Sequence, residues 1–575
     1  MAKRGLRVKQ KRLVLVGAWI IEIAMAVISI MVLIQSLYNG LVPESMAWKL
    51  FYGLYIVMLG TGVLILITSV TTDVKETTLQ RVLTNIEFVI SVILLLNAVF
   101  WTIGFKYYKH NYYTVKAPEL FLHLRMGTEG ANFMPFIPII VIAVILFACL
   151  VVLYWLLVRK FETFLRRSLI ISLVSLLLIP VIARGVLLVD QGLGVHQYLE
   201  VSGQESRFLE ENYVNGNTTA ITFPEKKRNL IFIYLESMED TFADTTIGGG
   251  MTENVIPNLT RIGLDNIDFS YPGELNGAYT LMGMEFTVGA LVASTAGVGL
   301  NENSISNETL NSYWDEEESV DYLPKAYNLG DILEANGYRQ VFLLGSDGNY
   351  AGRGAYFRNH GNYEIHDYNY AIENNRIPQD YKEWWGYEDE KLYEFAKEDL
   401  LALAQEEQPF NFTMLTADTH FPNGYKCELC ENQYDTDGLN VFACADQQLD
   451  NFLSWIQEQG FYDNTTIVIM GDHISMDGAM ISDAGVSPDY SRKSYVAIIN
   501  PAEGNTEVPH EYCAMDIYPT TLAALGAEIK GNRLGLGTNL FSSDPTLVEE
   551  YGQWNLSEML SMHSEYYDNY LCEAE

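Results

Sequence analysis

The chain has 575 residues, a net charge of −36 and a mean hydropathy of +0.06. That is too long for one ordinary domain, and so strong an acidic excess argues against nucleic acid as a partner, because phosphate backbones call for basic surfaces. The charge is unevenly placed, with +8 on residues 1–200 and −44 on residues 201–575, as expected for a basic, apolar membrane part joined to an acidic, polar domain.

Five apolar stretches, at about 13–37, 48–70, 83–104, 133–158 and 168–189, reach the roughly 20 residues that a helix needs to cross a bilayer core. The first is too long for a signal-peptide core and has no small-residue cleavage site after it, so it reads as a retained span. Lys3, Arg4, Arg7, Lys9, Lys11 and Arg12 precede it, and Arg159, Lys160, Arg166 and Arg167 follow the fourth. Both clusters are expected on the cytoplasmic side, which places everything after about residue 190 outside. Lys106, Lys109, Lys116 and Arg125, in the 105–132 loop, run against that rule. Trp48, Trp101 and Trp155 stand near span ends, where aromatic anchors occur. Arg184 lies inside the fifth stretch, beyond Pro180; a charge there either serves function or snorkels to the outer surface.

Residues 191–225, with Gly192, Gly194, Gly203 and the run NGNTT, read as a linker. From 226 to 548 the pattern changes to short, dense apolar runs: NLIFIYLE (229–236), VFLLG (341–345), FNFTMLT (410–416), TIVIMGD (466–472) and YVAIIN (495–500). Such runs suit strands buried on both faces of a mainly parallel sheet. Helical patterns at 331–338, 389–405 and 445–460 lie between them, so the expected fold is an α-helical membrane anchor of five transmembrane helices (1–190) followed by an α/β domain. Residues 549–575 form an acidic, aromatic tail.

In such folds chemistry collects at the carboxyl ends of the strands. Here four successive runs end in Glu236, in Ser346-Asp347, in Asp418-Thr419-His420 and in Asp472-His473. Glu236, Asp472 and His473 are hard oxygen and imidazole ligands for a divalent cation, and the oxygen majority without thiolates favours Mn²⁺ or Mg²⁺, with Zn²⁺ also possible. Thr280, in GAYTLMGMEF (277–286), is a hydroxyl that such a cation would activate as a nucleophile toward phosphorus, with Gly277 and Gly283 giving an anion close access to backbone amides.

NLIFIYLESMEDTF, the Thr280 stretch, GSDGNYAGRGAYFRNHG (345–361), LTADTHFPNGY (415–425) and MGDHISM (470–476) resemble the membrane-anchored phosphoglycerol transferases of bacteria. These are sulfatase-like members of the alkaline phosphatase superfamily and include lipoteichoic acid synthase and the periplasmic-glucan enzyme. The resemblance implies a sulfatase-like fold, a multi-pass membrane protein with an extracytoplasmic catalytic domain, and Mn²⁺ held by Glu236, Thr280, Asp472 and His473. It makes Thr280 the nucleophile and gives the glycerol phosphate head group to Asp347, Arg353 and His420, with His420 also placed to protonate a leaving alkoxide. Phosphatidylglycerol is the implied donor, and a glycan or glycerol phosphate polymer the acceptor. A phosphoethanolamine transferase, a phosphodiesterase and an inactive polymer-binding paralogue are the alternatives; nothing in the chain fixes an oligomeric state. Two departures stand out. Between Asp347 and Arg353 only Tyr350 is aromatic, where lipoteichoic acid synthases use a tryptophan on the glycerol. Thr280 is followed by LMGM, without the Pro and Arg of a sulfatase motif.

Cys149 lies in a span; Cys427, Cys430, Cys444, Cys513 and Cys572 would face outward. Cys427-x-x-Cys430 is half a zinc pattern with no second Cys/His pair after it, so a disulfide among Cys427, Cys430 and Cys444 is expected in an oxidising exterior. His360 and His366, near Arg353, are candidates for substrate contact or for structural roles.

Overall fold

The computed structural model describes residues 78–112, 115–125, 137–161, 164–301, 305–306 and 322–572. The spans expected at 13–37 and 48–70, the N-terminal basic cluster and Trp48 lie outside the described residues. The chain divides into two compact units, 1–108 with 136–191, and 109–135 with 192–575.

In the first unit, three helices are long and apolar enough to cross a membrane: Thr84–Asn111, Ile137–Arg159 and Ile170–Leu193. They match the third, fourth and fifth expected spans. A Cβ on Gly185 would come within 2.6 Å of Trp101 Cβ, so the first and third of these helices approach where the third carries no side chain, the usual role of small residues between membrane helices. Arg184 is the neighbouring position, beyond Pro180 in the helix Phe164–Leu193.

The second unit is built on an eight-stranded sheet. In chain order its strands are β1 (Asn229–Leu235), β2 (Gly277–Tyr279), β3 (Arg339–Leu344), β4 (Glu364–His366), β5 (Phe410–Leu415), β6 (Thr465–Gly471), β7 (Ser494–Ile499) and β8 (Tyr512–Cys513). Their spatial order is β4-β3-β5-β1-β6-β7-β2-β8, and only β7 runs antiparallel to its neighbours. Alternate residues of β1 feed two cores. Leu230, Phe232 and Tyr234 point into one, with Leu291 and Val292 of the helix Thr287–Ala296 and Ile517 and Leu522 of the helix Ala514–Ala524. Ile231, Ile233 and Leu235 point into the other, with Leu392 and Leu400 of the helix Asp389–Leu403 and Leu449 and Phe452 of the helix Asp437–Gln457. Burial on both faces is why these strands are apolar without a polar alternation.

Where the sequence suggests a linker, the chain forms the helices Val195–Ser202 and Phe208–Asn212 and a short strand, Ile221–Thr222, paired antiparallel with Glu528–Ile529. The acidic tail is likewise structured: the helix Gln553–Ser561 packs Leu556 into the first core, and His563 bridges back to Glu205. Residues 115–125 also belong to this unit. The helix Ala117–Arg125 buries Leu122 in the same core, and Arg125 donates to Ile305 O.

Gly471 ends β6 just before Asp472. A Cβ there would lie 1.8 Å from Met238 O, a contact that only backbone movement relieves. Gly471→Ala is therefore expected to cost about 3 kcal/mol, read as a fall in the melting temperature of the detergent-solubilised chain.

Candidate active site

Glu236, Asp472 and His473 converge as expected. Each offers a ligand atom, and these atoms all lie within 4.8 Å of one another. The strand order explains this: β1 and β6 are adjacent and parallel, so the residue after β1 and the two after β6 leave the sheet at one edge. Asp472 Oδ1 accepts from the amides of Ser237 (2.7 Å) and His473 (2.8 Å), and Glu236 Oε1 accepts from Ser237 Oγ (2.7 Å). His473 Nδ1–H donates to Ile474 O at 2.9 Å, which turns Nε2 toward Asp472 Oδ2 (3.4 Å) and Glu236 Oε1 (3.6 Å).

The donor set fits a divalent cation. Asp472 Oδ2 and His473 Nε2 are buried and have no hydrogen-bond partner among the described residues, a costly state for polar atoms unless something else binds them. The backbone acceptor on Nδ1 is the usual outer support of a metal-ligating imidazole. Without a cation, a proton takes over part of its work. Burial pushes Asp472 up to about 7, aided by the Glu236 charge. Burial alone would depress His473, but the Asp472 and Glu236 carboxylates outweigh it and hold the imidazole up at about 9.

The structure brings a different threonine to this cluster from the one the sequence suggests. Thr280 follows β2, and its hydroxyl meets Ser494 Oγ at 3.3 Å. Thr287, seven residues on, is the first residue of the helix Thr287–Ala296, and its hydroxyl donates to Glu236 Oε2 at 3.4 Å. Unpaired amides in a first helical turn and the helix dipole both favour an anion there, so Thr287 has the electrostatic setting that was expected of Thr280. A sequence signal for it exists, since Thr287 directly precedes the small, apolar helical run VGALVASTA.

Thr287 and Glu236 share a cavity with Ser346, Arg353, Trp385 and His420. Arg353 is 6% exposed. Its Nε donates to Tyr350 O (3.0 Å), and its Nη2 donates to Ser346 Oγ (3.1 Å) and Asp347 O (2.9 Å). Burial lowers its pKa, but a guanidinium stays charged in proteins. Asp347 sits at the same turn, where its Oδ1 accepts from the Asn349 amide at 2.9 Å. Arg353→Lys keeps the charge but loses the planar fork; KM for a phosphate-bearing substrate is expected to rise at least about tenfold, by about 1.4 kcal/mol, with a smaller change in kcat.

His420 Nδ1–H donates to Phe421 O at 2.8 Å. Burial pulls its pKa down to about 4, and the neighbouring His473 and Arg353 act in the same direction. At neutral pH it is therefore a neutral imidazole with the lone pair on Nε2, an acceptor of protons rather than a donor. The ring of Trp385 lies 4.7 Å from His420 and 5.6 Å from Tyr350, so an aromatic wall is supplied by EWWGY (383–387), outside the Asp347–Arg353 stretch. Glu119 and Tyr112 were also not legible. Glu119 is buried, raised to about 7 by that burial, and electrostatically coupled to His473; the Tyr112 ring meets Phe421 at 5.2 Å. His360 and His366 serve the fold: His360 lies between Asp331 (2.9 Å) and Tyr322 O (2.6 Å), and His366 Nδ1 lies 2.7 Å from Asp399.

The sulfatase family model matches residues 289–527, which spans the sheet from beyond β2 to past β8. Over part of its length the chain is also similar to bacterial phosphoglycerol transferases. Phosphoglycerol transferase I of Xanthomonas campestris pv. campestris (strain B100) is 31% identical over 263 residues, 44% of this chain and 34% of that protein. Phosphoglycerol transferase I of Salmonella paratyphi B is 28% identical over 267 residues, 45% of this chain and 32% of that protein. The chain thus spans about a third of the length of these relatives. Among solved structures, the lipooligosaccharide phosphoethanolamine transferase A of Neisseria meningitidis aligns with a TM-score of 0.44 and 12% identity, over 88% of this chain and 95% of that one.

Proposed function

We propose that the chain is a membrane-held, extracytoplasmic phosphoglycerol transferase, with Thr287 as the residue that carries the phosphoryl group. The hydrogen bond from Thr287, at a helix start, to Glu236 of the acidic-histidine cluster carries this reading. The relatedness to phosphoglycerol transferases supports the choice of head group. The donor is phosphatidylglycerol or a glycerol phosphate polymer, and the acceptor a glycan or polyglycerolphosphate hydroxyl.

Glu236, Asp472 and His473, with Thr287, would hold the divalent cation, by its donor set Mn²⁺ or Mg²⁺; when bound, it polarises the phosphoryl oxygens and lowers the pKa of the threonine hydroxyl. Arg353, fixed by three hydrogen bonds, presents its remaining nitrogen to the phosphate; Trp385, which lines the same cavity, bounds the glycerol, with Asp347 beside Arg353 at the turn. Thr287 Oγ attacks phosphorus, the bond from phosphorus to the diacylglycerol oxygen breaks, and the proton that Thr287 gives up ends on that oxygen. In the second half an acceptor hydroxyl attacks the phospho-threonine, its proton passes to His420 Nε2, the bond from phosphorus to Thr287 Oγ breaks, and the proton held by His420 goes on to Thr287 Oγ, so both residues return to their starting state. A neutral His420 suits this second role, as the base.

The test uses full-length protein with Mn²⁺ and phosphatidylglycerol or phosphatidylethanolamine bearing a fluorescent acyl chain. Diacylglycerol release from phosphatidylglycerol alone is the expected result; release only from phosphatidylethanolamine would replace the head group, and release from neither would remove lipid as the donor.

A further inference from the structure

Cys427, Cys430 and Cys444 form a second cluster that the reaction does not use. No disulfide joins them. Cys427 Sγ lies 3.5 Å from Cys430 Sγ and 3.8 Å from Cys444 Sγ, and all three sulfurs fall within 4.8 Å of one another. A disulfide would pair two sulfurs at about 2 Å and strand the third. Three thiolates on one tetrahedral zinc, each about 2.3 Å from the metal, stand about 3.8 Å apart, close to the separations of Cys427 from Cys430 and Cys444.

The surroundings are built for thiolates. The Cys430 amide donates to Cys427 O at 3.2 Å, which closes the Cys-x-x-Cys turn and brings the two sulfurs together. Cys444 and Gln448 lie one turn apart on the helix Asp437–Gln457, and Gln448 Nε2 donates to Cys444 Sγ (3.5 Å) and Cys427 Sγ (3.8 Å). Such outer hydrogen bonds orient metal ligands. Cys427 and Cys444 are buried and Cys430 half-buried. Asp389 and Asp418 lie near Cys427, and both Asp418 oxygens are buried without a hydrogen-bond partner among the described residues.

We propose that Cys427, Cys430 and Cys444 bind one zinc ion, with water at the fourth position, and so clamp the loop that follows His420 to the helix Asp437–Gln457. The third ligand is hard to see in the sequence because it comes from a helix, fourteen residues after the Cys-x-x-Cys pair, instead of from a second pair.

The test is cobalt substitution of the full-length chain. Sulfur ligands give Co²⁺ an intense near-ultraviolet charge-transfer band that oxygen and nitrogen ligands do not, so the Glu236 site does not contribute to it. The expected result is that band in the natural chain and its loss in Cys430→Ser, the variant at the least buried of the three. Zinc content is expected to stay at one equivalent in Asp472→Asn and to fall to none when Cys430→Ser is added. Absence of the band in the natural chain, or an intact mass showing two of the three thiols oxidised to a disulfide, would overturn the proposal. Both readings are made on the natural chain, so neither depends on a variant folding.

Discussion

Thr287→Ala is expected to reduce diacylglycerol release by at least about a thousandfold, equivalent to about 4 kcal/mol of barrier, whereas Thr280→Ala should leave the rate within about threefold. The two threonines lie seven residues apart on either side of the turn at Gly283 and differ in what their hydroxyls meet. Thr280 has Ser494 as its partner, so its removal costs one partly exposed hydrogen bond, about 1 kcal/mol of stability. Thr287 has Glu236 and the opening turn of a helix, so its removal deletes the oxygen that would carry phosphorus. Intact-mass analysis gives a second reading: the natural chain incubated with donor but no acceptor should gain one glycerol phosphate, and Thr287→Ala none. Loss of activity in Thr280→Ala alone would return the role to Thr280.

The second large effect concerns pH and the cation. A cation needs Asp472 ionised and His473 neutral, but without it Asp472 titrates near 7 and His473 near 9. Both shifts act in the same direction. Below pH 7 the cation must displace a proton from each; between 7 and 9 it displaces only that on His473; above 9 it displaces none. Mn²⁺ affinity should thus rise about tenfold per pH unit between 7 and 9, more steeply below 7, and level off above 9. Calorimetry in buffers of different ionisation enthalpy should find about one proton released per ion at pH 8. A flat affinity profile across this range would mean that the cation does not use His473.

The sheet was largely legible. Five of its eight strands announce themselves as apolar runs because they are buried on both faces, as Phe232 and Ile233 show by entering opposite cores. The strands β2, β4 and β8 have two or three residues each, too few for any periodicity. The convergence of Glu236, Asp472 and His473 was readable because these residues end long strands, and strand ends convert sequence order into spatial proximity. Thr287 did not stand out because no capping residue precedes it: Phe286 stands at the cap position, with no side-chain hydrogen bond to the helix, so the run VGALVASTA that follows is its one sequence signal. Trp385 and Glu119 reach the site from segments that carry no strand-end signal.

The docking of residues 115–125 on the α/β domain bears on how that domain can be obtained. These residues are encoded between two apolar helices, yet Leu122 is fully buried in the domain core and Glu119 neighbours His473. A fragment starting at residue 192 would lose the buried Glu119 that is coupled to His473 and open a leucine-sized hole where Leu122 packs. Shedding of the domain by a protease cutting after the last apolar helix would have the same result. The stretch between the helices is thus a structural part of the enzyme rather than a leash, and kinetics measured on the excised domain would describe a different molecule.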